Sequence, residues 1–212
     1  MFYPALSNSA CSGTVSGDYS GATLLIQDLS RFRIPPNFRG RSPIIVQLWW
    51  LVQSTLFQWS PQFAYGFRRW LLRSFGAKVG HLAIIRPSVV ITYPWKISIG
   101  NYAWVGDDVV VLYSLGEIEI CDNAVVSQRS YLCTGDHDYT QADFPIRSRK
   151  ITIGKQAWVA ADVFVAPGVS IGDGAVIGAR SSVFADMPAG MLCVGYPCKA
   201  VKERVTYKSN RI

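Results

Sequence analysis

From residue 153 onward an aliphatic residue recurs at every sixth position: Ile153, Val159, Val165, Ile171, Ile177 and Val183. The residue after each is small in most cases, namely Gly154, Ala160, Ala166, Gly172 and Gly178, and Phe184 ends the run. Each six-residue unit reads as one short strand plus a turn, and three units close a triangular coil whose aliphatic residues all point inward. Strands of successive coils then stack in parallel about 4.8 Å apart. The small residue is expected at the corners, where the chain turns tightly, Gly tolerates a positive φ and bulk would clash.

The same period appears upstream at Ile99, Val105 and Val111, and again at Ile120, Val126 and Leu132. A longer step between Val111 and Ile120 predicts a short insertion near Leu115-Gly116. From Leu132 to Ile153 the step is 21 residues, and Gly135 to Lys150 within it holds His137, Asp136, Asp138, Pro145 and three basic residues. A polar excursion of that length from a regular solenoid is expected to be functional.

Before the repeat, Pro43 to Gly76 reads as helical, with Gln47, Ser54 and Gln58 on one stripe. A second helix, expected over Phe63 to Phe75, sets Arg68, Arg69 and Arg73 beside Trp70, Leu71 and Leu72. Such a helix suits packing on the first coils or across subunits, which is the preferred reading, and is also compatible with an anionic bilayer surface. Ile44 to Trp59 is the most apolar stretch, but Gln47, Gln53, Ser54 and Gln58 interrupt it and Pro61 follows, short of the roughly 20 apolar residues of a spanning helix. The resulting plan is mainly β: an irregular arm over 1–42, a helical region over 43–76, a parallel β-helix over 77–198 with a loop at 134–150, and a tail over 199–212.

Composition narrows the setting. The 212 residues, half of them apolar, allow one main domain. The charge of +7, from 21 Lys and Arg against 14 Asp and Glu, suits nucleic acid, an anionic membrane or a polyphosphorylated ligand. No nucleic-acid-binding motif accompanies it. Cys11, Cys121, Cys133, Cys193 and Cys198 are odd in number and follow no C-x-x-C spacing, so they read as reduced thiols. The N-terminus has no basic segment followed by an apolar run, and the expected location is the cytoplasm.

His137, in Thr134-Gly135-Asp136-His137-Asp138-Tyr139, is the candidate base. A histidine removes a hydroxyl proton near neutral pH because its free pKa lies close to the working pH. A flanking carboxylate or a backbone carbonyl would fix its tautomer; Asp136 and Asp138 are both candidates, and either is equally readable as a solvated turn residue. Tyr139 and Arg147 are the candidates for contact with an acceptor.

The hexapeptide run, the Thr-Gly-Asp-His-Asp loop and the closing Val194-Gly195-Tyr196-Pro197-Cys198-Lys199 resemble the hexapeptide-repeat acetyltransferases that include galactoside and maltose acetyltransferases. Among these the chain is similar to the colanic-acid biosynthesis acetyltransferases, through Gln27-Asp28-Leu29-Ser30, Val46-Gln47-Leu48-Trp49-Trp50, Ile91-Thr92-Tyr93-Pro94-Trp95, Ser130 to Asp138 and Asp162 to Val169. The resemblance implies a left-handed winding and a homotrimer with sites between adjacent β-helices. It further implies acetyl-CoA as co-substrate along the coil edges and a saccharide acceptor; a lipid carrier for that acceptor and peripheral contact with the inner membrane would give the basic helix of Arg68, Arg69 and Arg73 a purpose. Trp158, Ala160, Ala161, Ala179, Arg180 and Lys199 fall where relatives approach the cofactor, with Arg204 as a further cation. The sequence departs from the family at Phe184-Ala185, where many relatives carry Thr-Lys, and at Asp138, where a proline often follows the histidine.

Alternatives remain at this point. A sugar-nucleotide N-acetyltransferase would use the same base and groove. A purely structural β-helix needs no 21-residue excursion. A zinc enzyme on this scaffold needs three histidines, and only His81 and His137 exist. No metal is expected.

Overall fold

The computed structural model describes residues 26–111 and 116–205. The first coil is β1 (Lys78–Val79), β2 (Ile84–Ile85) and β3 (Val90–Ile91); the second is β4 (Ile97–Ile99), β5 (Trp104–Val105) and β6 (Val110–Val111). The third is β7 (Ile118–Ile120), β8 (Val125–Val126) and β9 (Tyr131–Leu132). A hairpin of β10 (Gly135–His137) and β11 (Ile146–Ser148) follows. The fourth coil is β12 (Ile151–Ile153), β13 (Trp158–Val159) and β14 (Phe164–Val165); the fifth is β15 (Ser170–Ile171), β16 (Val176–Ile177) and β17 (Ser182–Val183). A last turn bridges Met187 to Ile171 and runs into β18 (Met191–Gly195), with β19 (Cys198–Glu203) folding back on it.

Corresponding strands of the coils stack in parallel into three faces, A starting at β1, B at β2 and C at β3. All six aliphatics of the period are buried at 0–1% exposure, as are Ile99, Val105, Val111, Ile120, Val126 and Leu132 within 2%. The expected parallel β-helix is therefore the fold. The predicted insertion near Leu115-Gly116 falls largely on 112–115, outside the described residues.

The corner chemistry corrects one expectation. Gly100, Gly154 and Gly172, just after inward aliphatics, do not have positive φ; a Cβ on each would sit 2.5–2.6 Å from a backbone N of the next coil. Smallness is needed for close approach between coils. The positive φ falls two residues later, on side-chain-bearing residues such as Tyr102, Asn123, Arg129, Gln156 and Asp162. Acceptors at the corners lower that cost: Asp122 Oδ1 accepts from Asn101 N–H at 2.6 Å, and Asp173 Oδ1 accepts from Lys155 N–H at 2.7 Å.

A stack of parallel strands ends with unpaired backbone groups, and the helical region covers them at coil one. Helix α1 (Pro43–Val52) continues through a wide turn at Gln53–Phe57, and α2 spans Tyr65–Ser74. Arg68 Nε donates to Ile85 O (2.7 Å), Arg69 to Ala83 O (2.9 Å), Arg73 to Val79 O (2.6 Å), Trp49 Nε1 to Ile91 O (2.7 Å) and Trp50 Nε1 to Thr92 O (3.3 Å). In the reverse sense Gln53 Oε1 accepts from Ile91 N–H at 3.2 Å. These arginines thus face the first coil. Of the two uses open to this helix, packing on the first coil is the one that Arg68, Arg69 and Arg73 serve, because their guanidinium groups satisfy carbonyls that would otherwise be buried without donors.

Both flanking segments are tied to the β-helix where they are described. Residues 199–203, expected as a tail, lie in β19, which pairs antiparallel with β18 and covers the open edge of face B. The arm, expected as irregular, is held where it is described: Trp95 Nε1 donates to Arg39 O at 2.7 Å and Asp28 N–H to Ala142 O at 2.7 Å.

Arg68 is fully buried and also bonds Ser60 Oγ, Pro61 O and Gln62 O. Arg68→Met is expected to lower the unfolding free energy by about 2–5 kcal/mol, read by chemical denaturation, because several acceptors lose their donor at once. A loss below about 1 kcal/mol would mean the cap is not what holds the first coil.

Candidate active site

The excursion after coil three is an ordered hairpin standing out from the corner between faces C and A, with Asp136 opposite Arg147 and His137 opposite Ile146. Its base is tied to the β-helix by Arg149 N–H donating to Thr134 O at 2.9 Å. Antiparallel pairing satisfies the backbone of a segment that has no neighbouring coil to bond.

His137 is half-buried and held on two sides. Its Nδ1 lies 2.8 Å from Phe144 O, and its ring stacks on the Phe144 ring with centroids 4.2 Å apart and planes 10° apart. The Phe32 ring of the arm lies 6.1 Å away. A carbonyl only accepts, so this contact places the proton on Nδ1 and leaves the Nε2 lone pair as the basic one. Of the two tautomer-fixing options left open by the sequence, the structure shows the backbone carbonyl.

Neither flanking carboxylate fills that role. Asp136 forms a two-point pair with Arg147 (3.0 and 3.1 Å) and reaches Arg149 at 3.3 Å, bracing the two strands. Asp138 caps the turn, accepting from Thr140 Oγ1 at 2.5 Å and Thr140 N–H at 3.0 Å. The physical reason is strand alternation: neighbours of His137 point away from the face it uses. Arg147, a candidate acceptor contact, is committed to Asp136, while Tyr139 projects into solvent. Phe144 is the residue the sequence did not single out. Its φ of +50° before a proline turns its carbonyl back toward His137, and an isolated aromatic in a polar loop was the only hint.

The candidate cofactor residues gather along another edge, between faces B and C. Arg180 N–H donates to Ala161 O (2.9 Å), which stacks Ala160-Ala161 of coil four on Ala179-Arg180 of coil five. Ala160 is buried, whereas Ala179 and Arg180 are exposed. Lys199 sits opposite Val194 in the closing strands, next in line on that edge. Arg180 Nε is only loosely paired, 3.6 Å from Asp162. Trp158 stands outward on face B, its Nε1 donating to Ser127 Oγ at 2.9 Å. It lines a groove of about 1070 Å³ with Trp104, Val125 and Arg204. Arg204 spends Nη1 on Gln156 O (2.9 Å) and Gly174 O (3.1 Å). Within one chain, His137 on the C–A corner and this groove on face B belong to different sides of the prism.

The remaining reactive groups do not compete. Cys121, Cys133, Cys193 and Cys198 are free thiols, while Cys11 lies outside the described residues. Burial pushes the Cys121 thiol upward, and Cys133 Sγ donates to Gly135 O at 3.2 Å. Among the described residues, no three His, Cys, Asp or Glu side chains are grouped to hold a metal.

A coiled hexapeptide scaffold interrupted once by a histidine-bearing hairpin defines a class, and comparison with known proteins agrees. The family model "Bacterial transferase hexapeptide (six repeats)" matches residues 150–185. "Putative colanic acid biosynthesis acetyltransferase WcaF" of Escherichia coli strain K12 is 59% identical over 180 residues, 85% of this chain and 98% of that protein. A maltose O-acetyltransferase from Clostridium difficile 630 superposes with a TM-score of 0.69 at 26% identity, covering 78% of this chain and 90% of that one. A galactoside acetyltransferase solved in complex with coenzyme A gives 0.67 at 25% identity, covering 84% and 91%. The chain belongs to the hexapeptide-repeat acetyltransferases, with the colanic acid biosynthesis acetyltransferases among them. It is an acyltransferase, which overturns the purely structural reading.

The hairpin turn carries a pH dependence. Hydrogen bonds, first from Thr140 Oγ1, hold the Asp138 carboxyl below the usual carboxylate range. The stabilisation is therefore complete above the ordinary Asp value of about 4 and is lost as pH falls through the lower folded value. Amide exchange across residues 135–148 should stay protected at pH of about 4 and weaken only below it. Asp138→Ala should remove that acid-dependent step.

Proposed function

We propose that this protein is an acetyl-CoA-dependent O-acetyltransferase that acetylates a sugar hydroxyl of an exopolysaccharide precursor, with His137 as general base. The observation that carries the reading is the Phe144 O contact to His137 Nδ1, which leaves Nε2 basic on a hairpin standing out from the coils. His137 Nε2 takes the acceptor hydroxyl proton as that oxygen attacks the thioester carbonyl carbon. A new C–O bond forms, the C–S bond breaks, and the imidazolium returns its proton to the departing thiolate. No acetyl-enzyme is formed.

The residues present fit the donor. An apolar floor of Trp104 and Trp158 suits a pantetheine arm, and Arg180, Lys199 and Arg204 offer cations for its phosphates. Because His137 and these residues occupy different corners of one chain, the site is completed between copies. Outward positions support a homotrimer: face A presents Lys78, Ser98, Glu119, Thr152 and Ser170. Face B presents Ile84, Trp104, Val125, Trp158 and Val176, and face C presents Val90, Val110, Tyr131, Phe164 and Ser182. One polar face and two apolar ones suit a prism with two neighbours around a three-fold axis. The working location is the cytoplasm. The acceptor is a colanic-acid-like saccharide, and its attachment to a lipid carrier belongs to the same reading.

The test is thiol release from acetyl-CoA against nucleotide-linked and lipid-linked sugars, with products identified by mass. His137→Ala should lower kcat by about 10²- to 10⁴-fold with folding and trimerisation intact. Near wild-type turnover would sink the proposal, and activity confined to amino sugars would make the enzyme an N-acetyltransferase. Phe144→Ala keeps the carbonyl but loses the stacked ring. It should cost roughly tenfold in kcat, an intermediate effect for a positioning residue, and shift the acid limb of the pH profile. An unchanged pH profile would make Phe144 merely structural.

A further inference from the structure

We infer that the helical cap over the first coil is a docking surface for an anionic lipid bilayer, built from apolar side chains that point away from the β-helix. Helix α1 and the turn after it have two apolar stripes. Val46, Trp49 and Phe57 face inward and are buried, whereas Ile44, Leu51, Leu56 and Trp59 face outward at 79, 60, 57 and 84% exposure. Phe63 is 82% exposed. Leu56, Trp59 and Phe67 line one shallow groove of about 450 Å³, and Trp70 stacks on Phe67 at 6.0 Å. A helix apolar on both sides is ordinarily buried on both sides, and nothing among the described residues covers the outer one. From Ser42 to Phe67 there is no charged residue.

Charge identifies the occupant. Between Leu29 and Gly106 the chain carries ten Lys and Arg and no Asp or Glu. The rest of the protein holds eleven basic residues against fourteen acidic ones. Positive charge is thus concentrated in the arm, cap and first coils. At the cap itself Arg41 is exposed, and Arg39 lies 5.7 Å over the Trp50 ring. Exposed Trp, Phe and Leu with Arg39 and Arg41 beside them match the boundary of an anionic bilayer. No described helix is long and apolar enough to cross a membrane, so the cap lies on the surface. The three α2 arginines are spent on carbonyls, so the contact is made by the opposite, apolar side of the cap. This inference stands apart from the transfer chemistry.

The test is co-sedimentation of the full chain with vesicles of phosphatidylcholine alone or mixed with phosphatidylglycerol. Binding to the mixed vesicles, weakened by salt, is expected. Leu56→Ser/Trp59→Ser/Phe63→Ser should cut it by about tenfold or more, with thermal stability and acetyl transfer to a soluble acceptor unchanged. Arg39→Gln/Arg41→Gln should reduce the preference for anionic lipid. Absence of binding by the wild type, or equal binding by the apolar triple variant, would overturn the proposal. So would a wild type that ignores vesicles but halves its assembly mass on the triple substitution, because the patch would then join copies of this chain.

Discussion

Parallel strands stacked coil upon coil bond each other throughout the body and leave their backbone groups unpaired at the two ends. The described segments that flank the repeat, the helical cap and β19, answer that constraint. At the first coil, three arginines and two tryptophans supply donors to carbonyls, and a glutamine supplies the acceptor for an amide. At the other end β19 turns back along β18 and satisfies its edge with an antiparallel ladder. Buried amides and carbonyls without partners cost too much to be left open, so a β-helix of this kind needs caps as much as it needs coils.

The same regularity decides where chemistry can be placed. A coil with aliphatic residues inward and the next backbone pressed against its corners has no room for an ionisable group in its interior. Function has to stand outside, on a face or in an excursion. The hairpin after coil three is such an excursion, self-sufficient in backbone bonds and braced by Asp136 between Arg147 and Arg149. It holds His137 against Phe144, whose backbone fixes the tautomer and whose ring fixes the plane. The three outer faces differ in what they present, face A mainly polar and faces B and C mainly apolar.

The cap shows how one segment meets two demands. Its inner stripe and its donors complete the first coil, which turns Arg68, Arg69 and Arg73 toward the protein. Its outer stripe is thereby left almost wholly apolar. The stretch from Ile44 to Trp59 was too short and too interrupted to read as a span, and it forms a covering layer with a second, outward apolar surface.

By itself, the sequence determined the solenoid, the phase of its inward aliphatics from Ile99 onward, and the position of the excursion with its histidine. A period of six specifies which residues are buried without reference to any distant contact, so Ile153 to Val183 could be placed in the core from spacing alone. It did not determine why the corner glycines are small, because the clash they avoid is with a coil many residues away. It left the tautomer partner of His137 open. Strand alternation turned Asp136 and Asp138 aside, and only the closing of the hairpin brought Phe144 O to Nδ1. Tertiary structure likewise decided the direction of the α2 arginines, since a helical stripe records which residues share a side but not which side meets the protein. Local periodicity fixed burial; pairing across long separations fixed orientation.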